Sequence, residues 1–279
     1  MSSYNDYGKA APDYDLTRQA VAYEIWLGAL ERFAPAKLSD VRLLDAGCGT
    51  GNYSAALHPH VGKINGIDYN EGMLAKASGK LADGIASETV KLERGSILAL
   101  PFEAETFDTV MINQVLHHLG DGKDAAHNGH RAAITEVTRV LKPNGVFLLN
   151  ACSHKQLTKG FWYNDFIPRA FEDVRARIAP SAMVSQMLLE NGFSVVGRHV
   201  PVNAVMQGDA YFDMSGIFRE DWRAGDSMWS SAKTEELELA MASVEELIAT
   251  GEADQWLANH DEMRQQIGQM TFWIAQKTQ

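Results

Sequence analysis

Two acids and a glycine-rich turn have the residue types and spacing of a nucleoside-binding site. Residues 43–51 read Leu-Leu-Asp-Ala-Gly-Cys-Gly-Thr-Gly, so that Asp45 precedes three alternating glycines. Glycine has no Cβ, and the backbone there can adopt unusual dihedral angles and approach a ligand closely. The next acid at a predicted strand end, Asp68, could accept hydrogen bonds from both hydroxyls of a ribose. Together these features predict a nucleoside pocket at the carboxyl end of an α/β sheet.

The spacing of the glycines separates this turn from two other nucleotide-binding loops. Dinucleotide-binding folds use Gly-x-Gly-x-x-Gly, but Ser54 stands where the last glycine of a pattern starting at Gly49 would fall. A phosphate-binding P-loop needs Gly-Lys-Ser/Thr, which does not follow here. The negative charge of Asp45 would repel a pyrophosphate and attract a cation or an ammonium group.

Alternating strands and helices must position these residues, and the alternation predicts a parallel sheet with right-handed crossovers. Apolar runs predict strands over 41–46, 63–68, 88–93, 106–113, 145–151, 193–199 and 270–276. Apolar periodicity and capping residues predict helices over 14–34 (capped by Asp13 or Asp15), 51–58, 71–82, 124–141, from Ser181 to Asn191, from Thr234 to Gly251, and over 253–266.

The segment 45–51 resembles motif I of class I S-adenosylmethionine-dependent methyltransferases, in which an acid precedes alternating glycines. Segments 68–74, 93–102, 107–118 and 140–146 resemble the later motifs of that family, in order. The resemblance covers residues 41–152 and is nearest to the small-molecule, ubiquinone-biosynthesis-like (type 11) subgroup. It implies an α/β, Rossmann-like, doubly wound sheet of seven strands with the last strand antiparallel. Ser96 departs from the family, which usually has Asp there.

The resemblance also implies S-adenosylmethionine as the cofactor and assigns residues to it. Asp68 would bind the ribose, the turn at 95–97 would contact the adenine, and the exit of the fourth strand would approach the methionine part. An N-terminal segment with Tyr7 and an arginine would fold over the cofactor, the alternative being a surface helix with aromatic packing. The residues implied are Tyr14, Arg18, Asp45, Gly47, Cys48, Gly49, Asp68, Tyr69, Met73, Gly95, Ser96, Ile97, Asn113 and Gln114.

His117 and His118 follow the fourth strand, where a methyl group would be presented, and they are the candidate catalytic residues. Neutral histidine suits a general base near pH 7. The alternatives are hydrogen bonding to another site residue or simple pocket lining, and only one of the two is expected to face the pocket. A metal site is not predicted, because the histidines lack a matching carboxylate set.

Aromatic residues after the fifth strand are candidates for the walls of an acceptor pocket, with core packing as the alternative. They are Phe161, Trp162, Tyr163 and Phe166, to which Trp222 and Trp229 could add. Cys152 could also line this pocket, the alternative being an inert buried thiol.

Three parts of the chain are predicted. Residues 1–40 would form a helical cap over the cofactor, and residues 41–200 with 269–279 the nucleoside-binding domain. Residues 201–268 would form a helical insertion that carries fourteen acids and four Lys or Arg. This insertion is expected to be a lid or an interface, unless it is merely a solvated helical face.

Charge and composition limit the function. The formal net charge of −11 disfavours nucleic acid as a partner. The sequence has two cysteines, no apparent signal peptide and no membrane-length apolar run, so we expect a cytoplasmic protein that does not enter a membrane. The preferred interpretation is a methyltransferase with a small-molecule acceptor. The alternatives are an RNA or protein methyltransferase and a non-catalytic S-adenosylmethionine-binding module that docks a partner.

Overall fold

A mixed sheet organises the computed structural model, which describes residues 14–120 and 122–278. In the described residues the sheet has seven strands, in the order 3-2-1-4-5-7-6. They are β1 (Arg42–Ala46), β2 (Lys63–Asp68), β3 (Val90–Arg94), β4 (Phe107–Asn113), β5 (Leu141–Ala151), β6 (Phe193–His199) and β7 (Thr271–Lys277). β7 runs antiparallel to both β5 and β6, whereas the other neighbours are parallel. The predicted fold class is confirmed.

Helices lie on both faces of this sheet. They are α1 (Glu24–Phe33), α2 (Asn52–Leu57), α3 (Glu71–Lys80), α4 (Ala82–Ala86), α5 (Asn128–Val140), α6 (His154–Lys159), α7 (Pro168–Arg175), α8 (Ser181–Glu190), α9 (Glu220–Ala224), α10 (Ser227–Ser231), α11 (Thr234–Thr250) and α12 (Ala253–Ile267). Short 3-10 helices connect them at Tyr14–Leu16, Leu38–Asp40, Leu116–His118, Trp162–Asp165, Gly208–Phe212 and Met214–Phe218. In this part of the chain, no helix is long and apolar enough to cross a membrane.

Both faces of the central parallel strands β1 and β4 are buried, which explains why their sequences are largely apolar. Successive residues of a strand point to opposite faces. Leu43 accordingly belongs to the core on one side of β1, with α1 and the insertion, while Leu44 belongs to the core on the other side, with α5 and α8. The sheet order reverses direction between β1 and β4. In an open α/β sheet this is the position at which the strand ends separate and leave a crevice for a ligand.

The predicted helix over 14–34 is wrong in its first half. The α-helix begins only at Glu24, and residues 14–23, which we call the strap, contain a single 3-10 turn and then irregular backbone. Ala22 has a φ of 54°, in the left-handed region that interrupts a helix. Asp15 does not cap a helix either, because its carboxylate binds side chains of the glycine-rich loop. Tyr7 and Asp13 lie outside the described residues.

The region between β5 and β7 contains more structure than the sequence predicts. α6, a 3-10 turn and α7 follow β5 directly, and α6 begins with a capping box in which Ser153 and Gln156 satisfy each other's backbone N–H. Within the insertion, α11 and α12 confirm the two predicted helices. Four short helical turns precede them, between Gly208 and Ser231.

Candidate active site

The glycine-rich loop turns tightly from β1 into α2. Gly47 has a φ of 86°, and a Cβ there would come within 2.7 Å of Val115 Cγ2. Gly49 has a φ of 53° with open space around its missing Cβ. The first glycine is therefore required by close packing against the exit of β4, while the second leaves the loop backbone open towards the crevice.

One buried carboxylate and one partly buried carboxylate face this loop. Asp45 is 2% exposed and accepts a hydrogen bond from the Ser54 hydroxyl at 2.7 Å. Burial raises its pKa to about 7, and the nearby charge of Asp68 adds to the rise. Burial also raises the pKa of Asp68, although the backbone N–H groups of Asn70 and Gly49 donate to its carboxylate at 2.8 and 2.9 Å. A positively charged ligand group beside these acids would favour their ionised forms.

Side chains at the N-terminal end of α2 bind the strap and hold it against the glycine-rich loop. The Asp15 carboxylate accepts hydrogen bonds from Thr50 at 2.6 Å and from Asn52 at 2.9 Å. The Asn52 amide also donates to the backbone carbonyl of Arg18 at 2.9 Å. The last of these bonds satisfies a backbone carbonyl that a helix would otherwise use, and together the three bonds hold the strap against the loop.

The exits of β4 and β5 supply amide groups on the other side of the crevice. Asn113 Oδ1 accepts a hydrogen bond from the Trp26 indole at 3.0 Å, and its Nδ2 is buried without a hydrogen-bond partner among the described residues. Gln114 has a φ of 53°, unusual for a residue with a side chain. Its backbone N–H and side-chain amide both donate to Asn150, at 2.9 and 3.0 Å. The strained backbone turns Gln114 towards the crevice.

These elements enclose a cavity beside the loop, which we call the glycine-loop cavity. Eight of the residues predicted to bind the cofactor line it, namely Tyr14, Arg18, Asp45, Gly47, Cys48, Gly49, Asn113 and Gln114. Sequence reasoning missed Thr50, Tyr53, Asn150, Met206 and Met270, which line it too. Asn150 could have been found, because it is a polar residue at the end of an apolar strand, as Asn113 is.

The other six predicted residues lie along the ends of β2 and β3 and do not line this cavity. The Asp68 carboxylate bonds the Gly49 N–H, and its backbone carbonyl accepts from Gly95. Tyr69 is 52% exposed with the Arg94 guanidinium over its ring, and Met73 is buried. Ile97 packs in the core near Ile67, and the Ser96 hydroxyl accepts from the Leu98 N–H at 3.2 Å. Their cofactor roles remain predictions.

A second cavity, which we call the histidine cavity, adjoins the first. Tyr14, Arg18, Gln114 and Met206 line both cavities, so the two meet at these residues. Both His117 and His118 line the second cavity. The expectation that only one of them would face it is wrong, because the tight 3-10 turn at Leu116–His118 places their rings with centroids 3.8 Å apart.

The two histidines are neutral at physiological pH. Burial lowers the pKa of His117 to about 4, with Asp226 opposing the shift and Arg18 adding to it. Burial and the neighbouring His117 lower the pKa of His118 well below its usual range. His117 Nε2 lies 3.2 Å from the Ser227 hydroxyl. Each ring can therefore accept a proton at pH 7, but as a weaker base than a solvated histidine.

Of the aromatic residues predicted for an acceptor pocket, some line the histidine cavity and others pack in the hydrophobic core. Phe161 and Tyr163 line the histidine cavity, as does Cys152, whose Sγ lies 3.5 Å from Gln114 Oε1. Trp222 and Trp229 do not line it, and they pack around Tyr163 in the core instead. The insertion contributes Met206 and the run Gly225–Met228 to the wall.

Comparison with known proteins agrees with this geometry. A family described as "Methyltransferase domain", of type 11, matches residues 44–149. The match spans the glycine-rich loop, Asp45 and Asp68, the two histidines His117 and His118, and most of β5. Residues 44–149 are a class I methyltransferase domain. The match supports S-adenosylmethionine as the cofactor of this domain.

The methyltransferase domain has curated relatives. The chain is 30% identical over 158 residues to a demethylmenaquinone methyltransferase of Lactococcus lactis, a match that covers 54% of this chain and 58% of that protein. It is 38% identical over 109 residues to a demethylmenaquinone methyltransferase of Staphylococcus aureus, covering 38% of this chain and 41% of the relative. The chain thus spans about half the length of the curated relatives it matches.

Solved structures extend the similarity of fold to the rest of the chain. A putative methyltransferase from an antibiotic biosynthesis pathway of Anabaena variabilis superimposes with a TM-score of 0.69, at 17% identity over 94% of this chain and 99% of that one. A geranyl diphosphate C-methyltransferase of Streptomyces coelicolor, solved with S-adenosyl-L-homocysteine, has a TM-score of 0.51 at 14% identity, over 92% and 79% of the two chains. These neighbours share the fold of this chain.

The glycine-loop cavity fits the cofactor of the methyltransferase domain. The cofactor carries a ribose, an ammonium, a carboxylate and a positively charged sulfur. Within the cavity, Asp45 is complementary to a cationic group, and the buried Nδ2 of Asn113 is a donor that the described residues leave unpaired. Asp68 does not line the cavity, but its carboxylate accepts a hydrogen bond from the N–H of Gly49, which does. The loop at Gly49 has open space where a side chain would stand.

Proposed function

We propose that the whole chain transfers a methyl group from S-adenosylmethionine to a small molecule held in the histidine cavity. The observation that carries this proposal is the junction of the two cavities at Tyr14, Arg18, Gln114 and Met206. S-adenosylmethionine supplies a methyl group that is already activated on a sulfonium centre. The chain has only to hold the acceptor in line, exclude water and accept a proton.

The site residues divide these tasks. Asp68 would hold the ribose hydroxyls, Asp45 the ammonium group, and Arg18 the carboxylate of the cofactor. Asn113 and Gln114, on the strained exit of β4, would position the methionine part against the histidine cavity. The strap and the insertion would cover the site as a cap and a lid and keep water away.

The walls of the histidine cavity indicate the class of acceptor. Leu157, Phe161, Val174 and Ile178 form an apolar side, while histidine, tyrosine and Gln114 groups form a polar end. This suits a small molecule with an apolar ring body and one O–H or N–H group. Quinols are the first class to screen, because the relatives from Lactococcus lactis and Staphylococcus aureus are named for demethylmenaquinone.

His117 is the proposed general base. Its pKa of about 4 keeps the ring neutral and able to accept a proton throughout the physiological range. The low pKa also limits its strength as a base, so that an acceptor of low pKa, such as a phenol or a quinol, is favoured over an alcohol.

The test is a methyl-transfer assay with labelled S-adenosylmethionine and a panel of phenols, quinols and amines. His117→Gln should lower kcat by about 100-fold, the usual range for loss of a general base, and leave the affinity for S-adenosylhomocysteine unchanged. His199→Gln is the matched control, because His199 is an exposed residue of edge strand β6. Full activity of the His117→Gln variant would refute the general-base role.

Two outcomes would favour the alternative functions. Methyl transfer to RNA or to a protein, with none to small molecules, would move the acceptor to a macromolecule, which the net charge of −11 disfavours for RNA. Cofactor binding without transfer to any acceptor would favour a non-catalytic binding module.

A further inference from the structure

A buried carboxylate of the insertion lies at the junction of the two cavities. Asp226 is 4% exposed, and its Oδ2 accepts hydrogen bonds from Arg18 Nη2 at 2.8 Å and from the Tyr163 hydroxyl at 2.7 Å. Its Oδ1 accepts from the Met228 N–H at 2.7 Å and so caps α10. Both oxygens are therefore engaged, by groups from three separate parts of the chain.

Gly225 and Ser227, on either side of Asp226 in the sequence, also lie against residues of the site. A Cβ at Gly225 would come within 2.7 Å of the Thr17 hydroxyl, so this segment packs directly on the strap. On the other side, the Ser227 hydroxyl lies 3.2 Å from His117 Nε2. Residues 225–227 therefore contact both the strap and His117, in the turn that follows β4. Asp226 also accepts a hydrogen bond from Tyr163, in the 3-10 turn Trp162–Asp165.

Arg18 and Tyr163, the two side chains that donate to Asp226, both line the proposed site of methyl transfer. Arg18 lines both cavities, and Tyr163 lines the histidine cavity, in which the acceptor would sit. The bond to Asp226 fixes the place of Arg18, because a buried guanidinium requires a paired and hydrogen-bonded anion. A hydrogen bond to a charged partner also fixes the direction of the tyrosine ring.

We propose that Asp226 is a positioning residue for methyl transfer, which acts through Arg18 and Tyr163 to fix the acceptor against the methyl group of the cofactor. The proposal rests on the proposed function. The carboxylate forms no bond to the reacting atoms. Its contribution is geometric, and small displacements of a reacting group are enough to change the rate strongly.

The decisive variant is Asp226→Asn. Asparagine has almost the same volume and caps a helix as well as aspartate does, so that α10 keeps its first turn. The variant removes the negative charge opposite Arg18, and because its oxygen stays on the Met228 N–H, an amide NH2 group replaces the oxygen that accepts from Arg18 and Tyr163. The matched control is Asp213→Asn, an exposed carboxylate of the same insertion that lies 3.5 Å from Arg219 and away from both cavities.

Three quantities are measured for each variant: kcat and KM with the best acceptor at saturating S-adenosylmethionine, the Kd for S-adenosylhomocysteine, and Tm. We expect Asp226→Asn to lower kcat by about 100-fold with less than a fivefold change in KM for the acceptor. The Kd for S-adenosylhomocysteine should rise, because Arg18 is the proposed partner of the cofactor carboxylate. Asp213→Asn should match the wild type in all three. A purely structural role would lower Tm, and it would lower kcat only in proportion to the active fraction, measured as the stoichiometry of S-adenosylhomocysteine binding. The positioning role predicts a stoichiometry near that of the wild type together with the loss of kcat.

Tyr163→Phe provides an independent test if the asparagine variant does not fold. It removes one hydrogen bond to Asp226 and keeps the ring, and we expect kcat to fall by about tenfold. The double variant should be no slower than Asp226→Asn alone, because both changes break the same contact.

The outcomes separate this proposal from the proposed function. A wild-type enzyme that methylates its acceptor, together with an Asp226→Asn or Tyr163→Phe variant that has the wild-type kcat, would overturn the positioning role alone. A folded wild-type protein that binds the cofactor and methylates no acceptor would refute the proposed function, and the positioning role with it.

Discussion

The affinity for the cofactor should depend on pH through Asp45. Burial raises the pKa of this carboxyl from the ordinary value of 3.8 to about 7 in the free protein. The ammonium group of the bound nucleoside would favour the ionised carboxylate and return its pKa towards the ordinary value. Below pH 7, binding must therefore release a proton from Asp45.

The sign and size of the effect follow from this linkage. When the complex binds fewer protons than the free protein, affinity rises with pH until the free carboxyl is ionised. The rise is at most tenfold per pH unit, or about 1.4 kcal/mol, and about 50-fold between pH 5 and pH 7, where the free carboxyl is half ionised. Above about pH 8 the affinity should level off. Asp68, whose pKa is also raised, contributes in the same direction.

The same shift affects the free protein. Because the folded pKa of Asp45 lies above its unfolded value, its contribution to the free energy of unfolding is complete below pH 4 and is lost as pH rises through 7. Cofactor binding should thus raise Tm more at pH 7.5 than at pH 5.5.

Calorimetric titration with S-adenosylhomocysteine tests this directly, because that ligand has the ammonium group but not the sulfonium charge. Titrations at pH 5.5, 6.5 and 7.5, in two buffers of different ionisation enthalpy, count the protons released. Asp45→Asn should bind more weakly than the wild type at pH 7.5, with a much flatter pH profile. A wild-type Kd that stays constant from pH 5.5 to 7.5, with no proton release, would refute the reasoning.

Two further predictions concern the loop and the strap. Gly47→Ala should weaken cofactor binding and lower Tm, because its left-handed φ costs alanine about 1–2 kcal/mol and the new Cβ would stand 2.7 Å from Val115. Gly79→Ala is the control, since nothing lies within 4 Å of its Cβ position; equal Tm and Kd values for the two variants would contradict the packing argument. Asp15→Ala should raise the Kd for S-adenosylhomocysteine by about tenfold through loss of hydrogen bonds such as the one from Thr50, and a wild-type Kd would show that the strap does not cover the cofactor.

The strands of the sheet can be predicted from the sequence, because each strand is indicated by residues that are adjacent in the chain. The central strands are rich in apolar residues, and Asp45 and Asp68 stand at or near the ends of β1 and β2. The α/β alternation then determines which strand ends meet at one edge. The order of the elements along the chain therefore predicts that three features lie close together: the glycine-rich loop, the end of β4, and the histidines at 117 and 118.

The strap could not be predicted in the same way. Leu16, Ala20 and Tyr23 have helical spacing, but the bonds that decide the conformation come from Asn52 and Tyr53, more than thirty residues away in the sequence. Tertiary hydrogen bonds of this kind override local propensity.

The role of Asp226 has no sequence signal either. It is one of fourteen acids in the insertion, and most of them belong to solvated helical faces. Only burial beside Arg18 and Tyr163 distinguishes it from the others.

The most direct test of the account is calorimetric titration of the protein with S-adenosylmethionine and S-adenosylhomocysteine, with NAD as the control ligand and Asp68→Ala as the control variant. The account predicts micromolar binding of both sulfur nucleosides to the wild type, much weaker binding to the variant, and no binding of NAD. Failure of the wild type to bind either sulfur nucleoside, or equal binding by Asp68→Ala, would contradict the assignment of the glycine-loop cavity to this cofactor.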